Sequence, residues 1–335
     1  MLRCQCGIDV HAHVVPENFP AYIGKTMPSD WPSMQAAHAC HRSVMISGKN
    51  YRTVSDHCWS PSKRIADFAQ MGLQTQAISP MPELLSYWMN PLDAQQLLRY
   101  INDQIALMVS ESNGQLIGLG AVPLQDMTLA LSELEYCIKK LGFAGVELGS
   151  NINGVAIGDI RFDPFFEACE ALNAAVFVHA IRPNMDRIQG PGPLQQILGY
   201  SSDIGLAAAS AITSNLVVRR PKLRIAFSHG GGTFSAMLPR LQQGWHTFAA
   251  IKDVISPSPL EQAKKLYYDT LVFNTQTLAH ITELFGASQM MIGTDYPFNF
   301  GERGPVAALE AAGFSQAIFN QLAFENAARF LNLPR

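Results

Sequence analysis

The chain has no apolar run approaching the ~18 residues that a membrane-spanning helix needs. Its most apolar segments, such as Val176–Val178 within NAAVFVHA, are short and rich in β-branched residues. Basic clusters are also missing. The 24 Lys and Arg residues stand against 27 Asp and Glu, a formal net charge of -3, so there is no electrostatic reason to expect nucleic acid or an anionic membrane as partner. The cysteines (Cys4, Cys6, Cys40, Cys58, Cys137 and Cys169) lack the spacing of a disulfide framework. The Cys4-x-Cys6 pair has no second pair with which to close a metal site, so free thiols are expected. The opening MLRCQCGIDVHAHVV has no basic-then-apolar leader, and a reducing cytoplasm is the expected setting. No glycine-rich dinucleotide fingerprint follows an early strand, which disfavours a doubly wound open sheet. A small-molecule partner is what these absences leave.

What is present is a rhythm. Of 335 residues, 48% are hydrophobic, enough to build a large core. Eight short apolar runs recur along the chain: GIDVHAHV, TQAISP, LIGLGAVP, FAGVELGS, AAVFVHA, LRIAFSHGG, KLYYDTLV and QMMIGTDYPF. Amphipathic stretches separate them. In DMTLALSELEYCIKKLG, Leu129, Leu131, Leu134, Cys137 and Ile138 form a near-helical stripe, with Asp126 as N-cap and Gly142 as C-terminal stop. Near-continuous apolar strands alternating with helices predict a parallel α/β sheet closed into a (β/α)8 TIM barrel, one domain over residues 1–335. Residues 19–61 break the rhythm with prolines, histidines and polar residues and no clear periodicity. They are expected to form an insertion after strand one, either a lid or a packing excursion over the rim.

Polar residues cluster at the ends of four of these runs. His11 and His13 lie two apart in the first strand, so their side chains point the same way. On its own, H-x-H is equally the mark of two hydrogen-bonded core histidines. His179, His229 and Asp295 end the fifth, sixth and eighth runs. In a barrel all five would meet at the C-terminal rim, where active sites are built. Imidazoles and a carboxylate at the tips of apolar strands are costly to bury without a partner or a ligand. Nitrogen and carboxylate donors without cysteine suit zinc, with manganese or iron as alternatives. His11, His13, His179 and Asp295 complete a coordination set, which leaves His229, in Ser228-His229-Gly230-Gly231-Gly232, as a proton-transfer group.

Several blocks carry a family resemblance: DVHAHVVPENFP, YRTVSDHCWSPSKRIADFAQMG, ISPMPELLSYW, LIGLGAVPLQ, LGFAGVELGSNING, VFVHA, RRPKLRIAFSHGGGTFSAMLPRLQQG and MIGTDYPF. Together they resemble the 2-amino-3-carboxymuconate-6-semialdehyde decarboxylase-like family of the amidohydrolase superfamily, from the first strand to the last. The resemblance implies a metal-dependent barrel with one Zn2+ per subunit, bound by His11, His13, His179 and Asp295, with His229 as the catalytic acid/base. It also implies that Arg52 binds a substrate carboxylate, and that Arg240 reaches into the neighbouring subunit's site of a homodimer. Lys49 and Phe298 are expected to face the substrate. A planar, always-charged guanidinium suits a carboxylate ligand.

Two segments depart from the family pattern. Where those decarboxylases usually read VHPWDM, this chain reads Val178-His179-Ala180-Ile181-Arg182-Pro183, and CWSP replaces CWDP. The metal set is intact, but the pocket mouth differs. The expected activity is non-oxidative decarboxylation of a small unsaturated or aromatic acid. The alternative is a hydrolase or hydratase of lactonase type using the same ligands. VELGS offers no lysine for carboxylation, which weighs against a binuclear hydrolase.

Overall fold

The computed structural model describes residues 7–333. Cys4 and Cys6 lie outside the described residues; Cys40, Cys58, Cys137 and Cys169 are free thiols. The strands, in chain order, begin with β1 (Gly7–Val14), followed by the insertion strands β2 (Ser33–His38), β3 (His41–Ile46) and β4 (Lys49–Ser55). Next come β5 (Leu73–Pro80), β6 (Leu116–Gly120) and β7 (Gly145–Gly149), then a small ribbon, β8 (Asn151–Ile152) and β9 (Val155–Ala156). The chain continues with β10 (Ala175–His179), β11 (Arg224–Phe227), β12 (Tyr267–Asp269) and β13 (Met290–Met291). The eight-stranded sheet has the order β1-β5-β6-β7-β10-β11-β12-β13, with every pairing parallel. The residues after β13 return to β1: Val10 N–H donates to Ile292 O at 2.9 Å, Asp295 N–H to His11 O at 2.9 Å, and His13 N–H to Tyr296 O at 2.7 Å. These bonds close the barrel. Each of the eight apolar runs supplies one of its strands.

Helices cover the outside. Asn90 caps the helix Pro91–Ser110 by accepting the Leu92 N–H at 3.0 Å. Asp126 caps the helix Met127–Glu135 through Leu129 N–H at 3.0 Å, and Gly142, at φ 69, ends the turn that follows. Both caps follow the ordinary preference of short polar side chains for a helix start. Ile8, Val10, Ala77, Leu119, Phe177 and Met291 cluster with Phe330 from the C-terminal helix Asn326–Phe330. This cluster fills the barrel opposite the rim, a packed core rather than a pore. No described helix is long and apolar enough to cross a membrane.

β1 has a register irregularity between Asp9 and Ala12, where Asp9 Oδ1 accepts the His11 N–H at 2.9 Å. Ile8 and Val10 join the interior cluster before it; His11 packs its ring 5.0 Å from that of interior Phe177 after it. Strict alternation would place Val10 and His11 on opposite faces. The bulge re-aims the strand so that both apolar filler and metal-binding side chains face inward.

Within the insertion after the first strand, residues 33–55 form an antiparallel sheet of order β2-β3-β4. Of its side chains only Val44 and Val54 are buried, so no alternation of apolar residues announces it. The turn between β3 and β4 does carry a signal: Ser47 and Gly48 have φ of 52 and 72, the two left-handed residues of a type I′ hairpin.

Candidate metal centre

The bulge in β1 and the ends of β10 and β13 bring four donors together. One ligand atom from each of His11, His13, His179 and Asp295 lies within 4.8 Å of the others. His11 Nε2 and His13 Nε2 are 3.2 Å apart, and Asp295 Oδ1 is 3.7 Å and 3.1 Å from them, respectively. Two nitrogens each ~2.1 Å from a shared tetrahedral centre stand about 3.4 Å apart, so this spacing fits a single small cation. His179 Nε2 is buried and has no hydrogen-bond partner among the described residues. An orphaned imidazole nitrogen pointing at two others and a carboxylate is what a metal would satisfy.

The non-ligating nitrogens are fixed from behind. His11 Nδ1 pairs with Asp269 Oδ2 at 2.7 Å, His13 Nδ1 with Pro80 O at 3.1 Å, and His179 Nδ1 with Ala180 O at 2.8 Å. Each bond presents Nε2 to the centre, the usual arrangement of a metal-binding histidine. Burial opposes charge on His11, but the Asp269 hydrogen bond and the nearby carboxylates raise its pKa to about 9. Burial lowers those of His13 and His179. Burial also works against a charged Asp295, yet hydrogen bonding to His13 and the surrounding imidazoles keep its carboxyl below the usual range. Arg64, fully buried, donates to the His13 carbonyl and to Gln76 Oε1, and Gln76 in turn donates to Asp9. This network ties the first strand to the helix Pro61–Gln70 behind it.

His229 stands beside the cluster, its ring 5.2 Å from that of His11 and 5.0 Å from that of His179. Its Nδ1 contacts Ser228 Oγ at 2.9 Å, and no hydrogen bond to its Nε2 occurs among the described residues. Burial and the neighbouring His11 push its pKa down to about 4, so the ring is neutral at pH 7. The turn that carries it is left-handed over four residues, with φ of 54, 62, 75 and 56 at His229, Gly230, Gly231 and Gly232. A Cβ on Gly232 would lie 2.1 Å from Ser201 O, which is why position 232 is glycine. Asp295 also has positive φ, at 59. Strain at two functional positions is held by the surrounding packing.

A cavity opens above the cluster, lined by His179, His229 and Asp295 at its floor and by Arg52, Tyr51, Tyr200, Glu83, Phe298 and Phe300 around it. Arg52 comes from the insertion strand β4, its guanidinium 4.2 Å from the centre of the Phe298 ring. Phe298 also stacks on His13 at 5.5 Å. An outer cavity of about 440 Å3 shares Arg52, Gln196, Phe298 and Phe300 with the inner one and reaches His38 and His41 of the insertion. Lys49 lies apart from this cavity. It opens β4 at an exposed position and is absent from the cavity wall. At ~3.3 Å per residue it lies about 10 Å along the strand from Arg52, at the solvent end of the hairpin. Arg240 is exposed on the helix Phe234–Thr247 and does not line the cavity of its own chain.

Three buried or cavity-lining carboxylates were not singled out in the sequence. Asp269, in the middle of the seventh run, is the last residue of β12, so a strand-tip criterion selects it as it selects His179. Glu147, in VELGS, is fully buried on β7 with both carboxylate oxygens unpartnered among the described residues. Its Oε2 is 3.7 Å from His13 Nδ1, and burial raises its pKa to about 8. Glu83 follows β5 in a short turn, and nothing in its local sequence marks it.

The family described as Amidohydrolase matches residues 8–333. A 2-amino-3-carboxymuconate-6-semialdehyde decarboxylase from Dictyostelium discoideum is 35% identical over 329 residues, covering 97% of this chain and 91% of the relative. Among solved structures, the apo form of Metarhizium anisopliae IDCase superposes with a TM-score of 0.83 at 20% identity, covering 98% of this chain and 97% of that one. A dihydroxybenzoic acid decarboxylase from Polaromonas, solved with bound manganese and the inhibitor 2-nitroresorcinol, gives 0.79 at 20% identity with 98% of each chain covered. At that identity the two structures show a shared fold.

Proposed function

The chain belongs to the amidohydrolase family, and from that membership we propose that it is a decarboxylase releasing carbon dioxide from a small unsaturated or aromatic carboxylic acid. The observation that carries the reading is the four-donor cluster at the floor of a cavity that also holds a neutral histidine and an arginine. His11, His13, His179 and Asp295 would hold one divalent ion per chain, zinc by the chemistry of the donors, with manganese or iron as competent substitutes. Such an ion supplies Lewis acidity at a substrate oxygen.

The chain's own residues supply the rest. Arg52 binds a substrate carboxylate with a planar pair of donors. Its stack on Phe298 fixes the guanidinium plane, and Phe298, Phe300 and Tyr200 give the cavity aromatic walls for the unsaturated part of the substrate. His229, neutral and with no hydrogen bond to Nε2 among the described residues, takes up a proton at Nε2 from water or a substrate hydroxyl and passes it to the carbon that loses carbon dioxide. Asp269 holds His11 and the His229 turn in place.

The reading includes a homodimer in which Arg240 enters the partner's cavity. Arg52 is the only Lys or Arg lining this chain's cavity among the described residues, and a dicarboxylic substrate calls for a second cation. Phe248, 58% exposed, ends the helix that carries Arg240 and would be covered in such a pair. Free thiols support a cytoplasmic setting. The test is to supply the metal-loaded protein with 2-amino-3-carboxymuconate-6-semialdehyde and with hydroxybenzoates and to measure carbon dioxide. Release is expected from at least one of these acids. Water uptake without carbon dioxide would overturn the reading in favour of hydration or hydrolysis.

A further inference from the structure

Glu83 is an unexpected group in this cavity. The site already contains Asp295, and the proposed substrate is an anion, so a second free carboxylate would repel what the pocket is built to hold. The structure neutralises it. Arg182 Nε and Nη2 both donate to Glu83 Oε1, at 3.1 Å and 2.5 Å. The Arg182 guanidinium lies 3.0 Å from the centre of the Trp88 ring, which gives the pair a rigid platform. Arg182 stands three residues after His179 with a left-handed φ of 40, a conformation unfavourable for arginine. An exposed ion pair alone stabilises too little to hold such a backbone. Strain of this kind, next to a metal-binding strand end, marks a group aimed for a purpose.

Both guanidinium bonds fall on Oε1, and no hydrogen bond to Oε2 occurs among the described residues. The Glu83 side chain is 12% exposed and lines the cavity with His229 and Arg52. It is a fixed, charge-compensated acceptor with one oxygen to spare. A carboxylate can only accept, so it selects ligands that can donate.

We propose that Glu83, held by Arg182, is a specificity residue that accepts a hydrogen bond from an amino, hydroxyl or ring N–H group carried by the acid substrate away from its scissile carboxylate. The proposal rests on the decarboxylase reading for what enters the cavity. The Ala180-Ile181-Arg182-Pro183 segment therefore sets substrate choice by placing Glu83 rather than by touching the reacting carbon.

The test is calorimetric binding to the metal-loaded, full-length protein, with benzoate, the three hydroxybenzoates, the three aminobenzoates and the three methoxybenzoates as probes. The wild type is expected to bind at least one hydroxy- or aminobenzoate about tenfold or more tightly than benzoate, the range of a hydrogen bond to a charged group. In Glu83→Gln, Arg182 keeps the amide oxygen and the NH2 group faces the cavity, so the preference shifts to the methoxy probes. In Glu83→Ala the ratio of donor-bearing probe to benzoate falls to within about twofold. Metal content and circular dichroism verify that both variants fold. A wild type without donor preference, or variants that keep it, overturns the proposal. Carbon dioxide release is scored separately: a protein that discriminates in this way but releases carbon dioxide neither from 2-amino-3-carboxymuconate-6-semialdehyde nor from any hydroxybenzoate refutes the decarboxylase reading and leaves Glu83 recognition standing.

Discussion

Asp269 Oδ2 lies 2.7 Å from His11 Nδ1 and also accepts the backbone N–H of His229 at 3.0 Å. Its other oxygen takes the N–H groups of Gly230 at 2.7 Å and Leu271 at 3.1 Å. One carboxylate at the tip of β12 thus orients the His11 ring of the metal centre and shapes the turn that carries His229. The metal centre and the histidine proposed for proton transfer share a single support.

Asp269→Asn keeps the size of the side chain but replaces the charged acceptor behind His11. Metal affinity is expected to fall by about 10–100-fold, as for other partners of metal-binding histidines. Competition with a chromogenic chelator measures it, and an unchanged affinity would remove Asp269 from the account.

His229→Asn substitutes a residue that tolerates the left-handed backbone at this position. Turnover should fall by roughly 10^2–10^4-fold, the usual contribution of a proton-transfer group, while metal bound per chain stays the same. Loss of metal together with activity would instead make His229 a ligand.

Arg52→Lys retains the charge and loses the planar pair of donors and the full stack on Phe298. The expected outcome is a KM raised by about tenfold, with a smaller change in kcat. Steady-state kinetics on whichever acid releases carbon dioxide separates the two constants.

Acid stability has a defined sign at Asp163. Partial burial opposes its ionisation, yet hydrogen bonds from Arg220 and Arg219 hold its carboxyl below the ordinary value of 3.8. A carboxyl depressed in the folded state stabilises above that ordinary value, and the stabilisation is lost as pH falls through the lower folded value. Asp163→Asn should therefore cost roughly 0.5–1 kcal/mol at pH 7. The difference from wild type should shrink at pH values below 3.8 in urea unfolding.

Much of the architecture was legible because parallel strands buried on both faces write themselves as apolar runs. All eight barrel strands follow that signal, and the tips of β1, β10 and β13 carry the residues that meet at the metal centre. The insertion sheet was not legible, since with only Val44 and Val54 buried it leaves no periodic trace. The bulge in β1 was hidden too, because hydrogen bonding across the barrel decides it. Lys49 shows the limit of proximity in sequence: three residues from Arg52, it sits at the solvent end of the hairpin. Glu83 and Arg182, 99 residues apart, become a pair only in three dimensions. Asp269 could have been selected with His179 and Asp295, as the same strand-tip logic covers all three.

The most direct measurement is metal content against carbon dioxide release in one sample. Protein stripped by a chelator, dialysed and then titrated with Zn2+ or Mn2+ should regain release of carbon dioxide in proportion to bound ion, reaching its maximum at one equivalent per chain. His13→Ala should neither bind that equivalent nor recover. Full carbon dioxide release from stripped protein, or from His13→Ala without bound metal, would contradict the account.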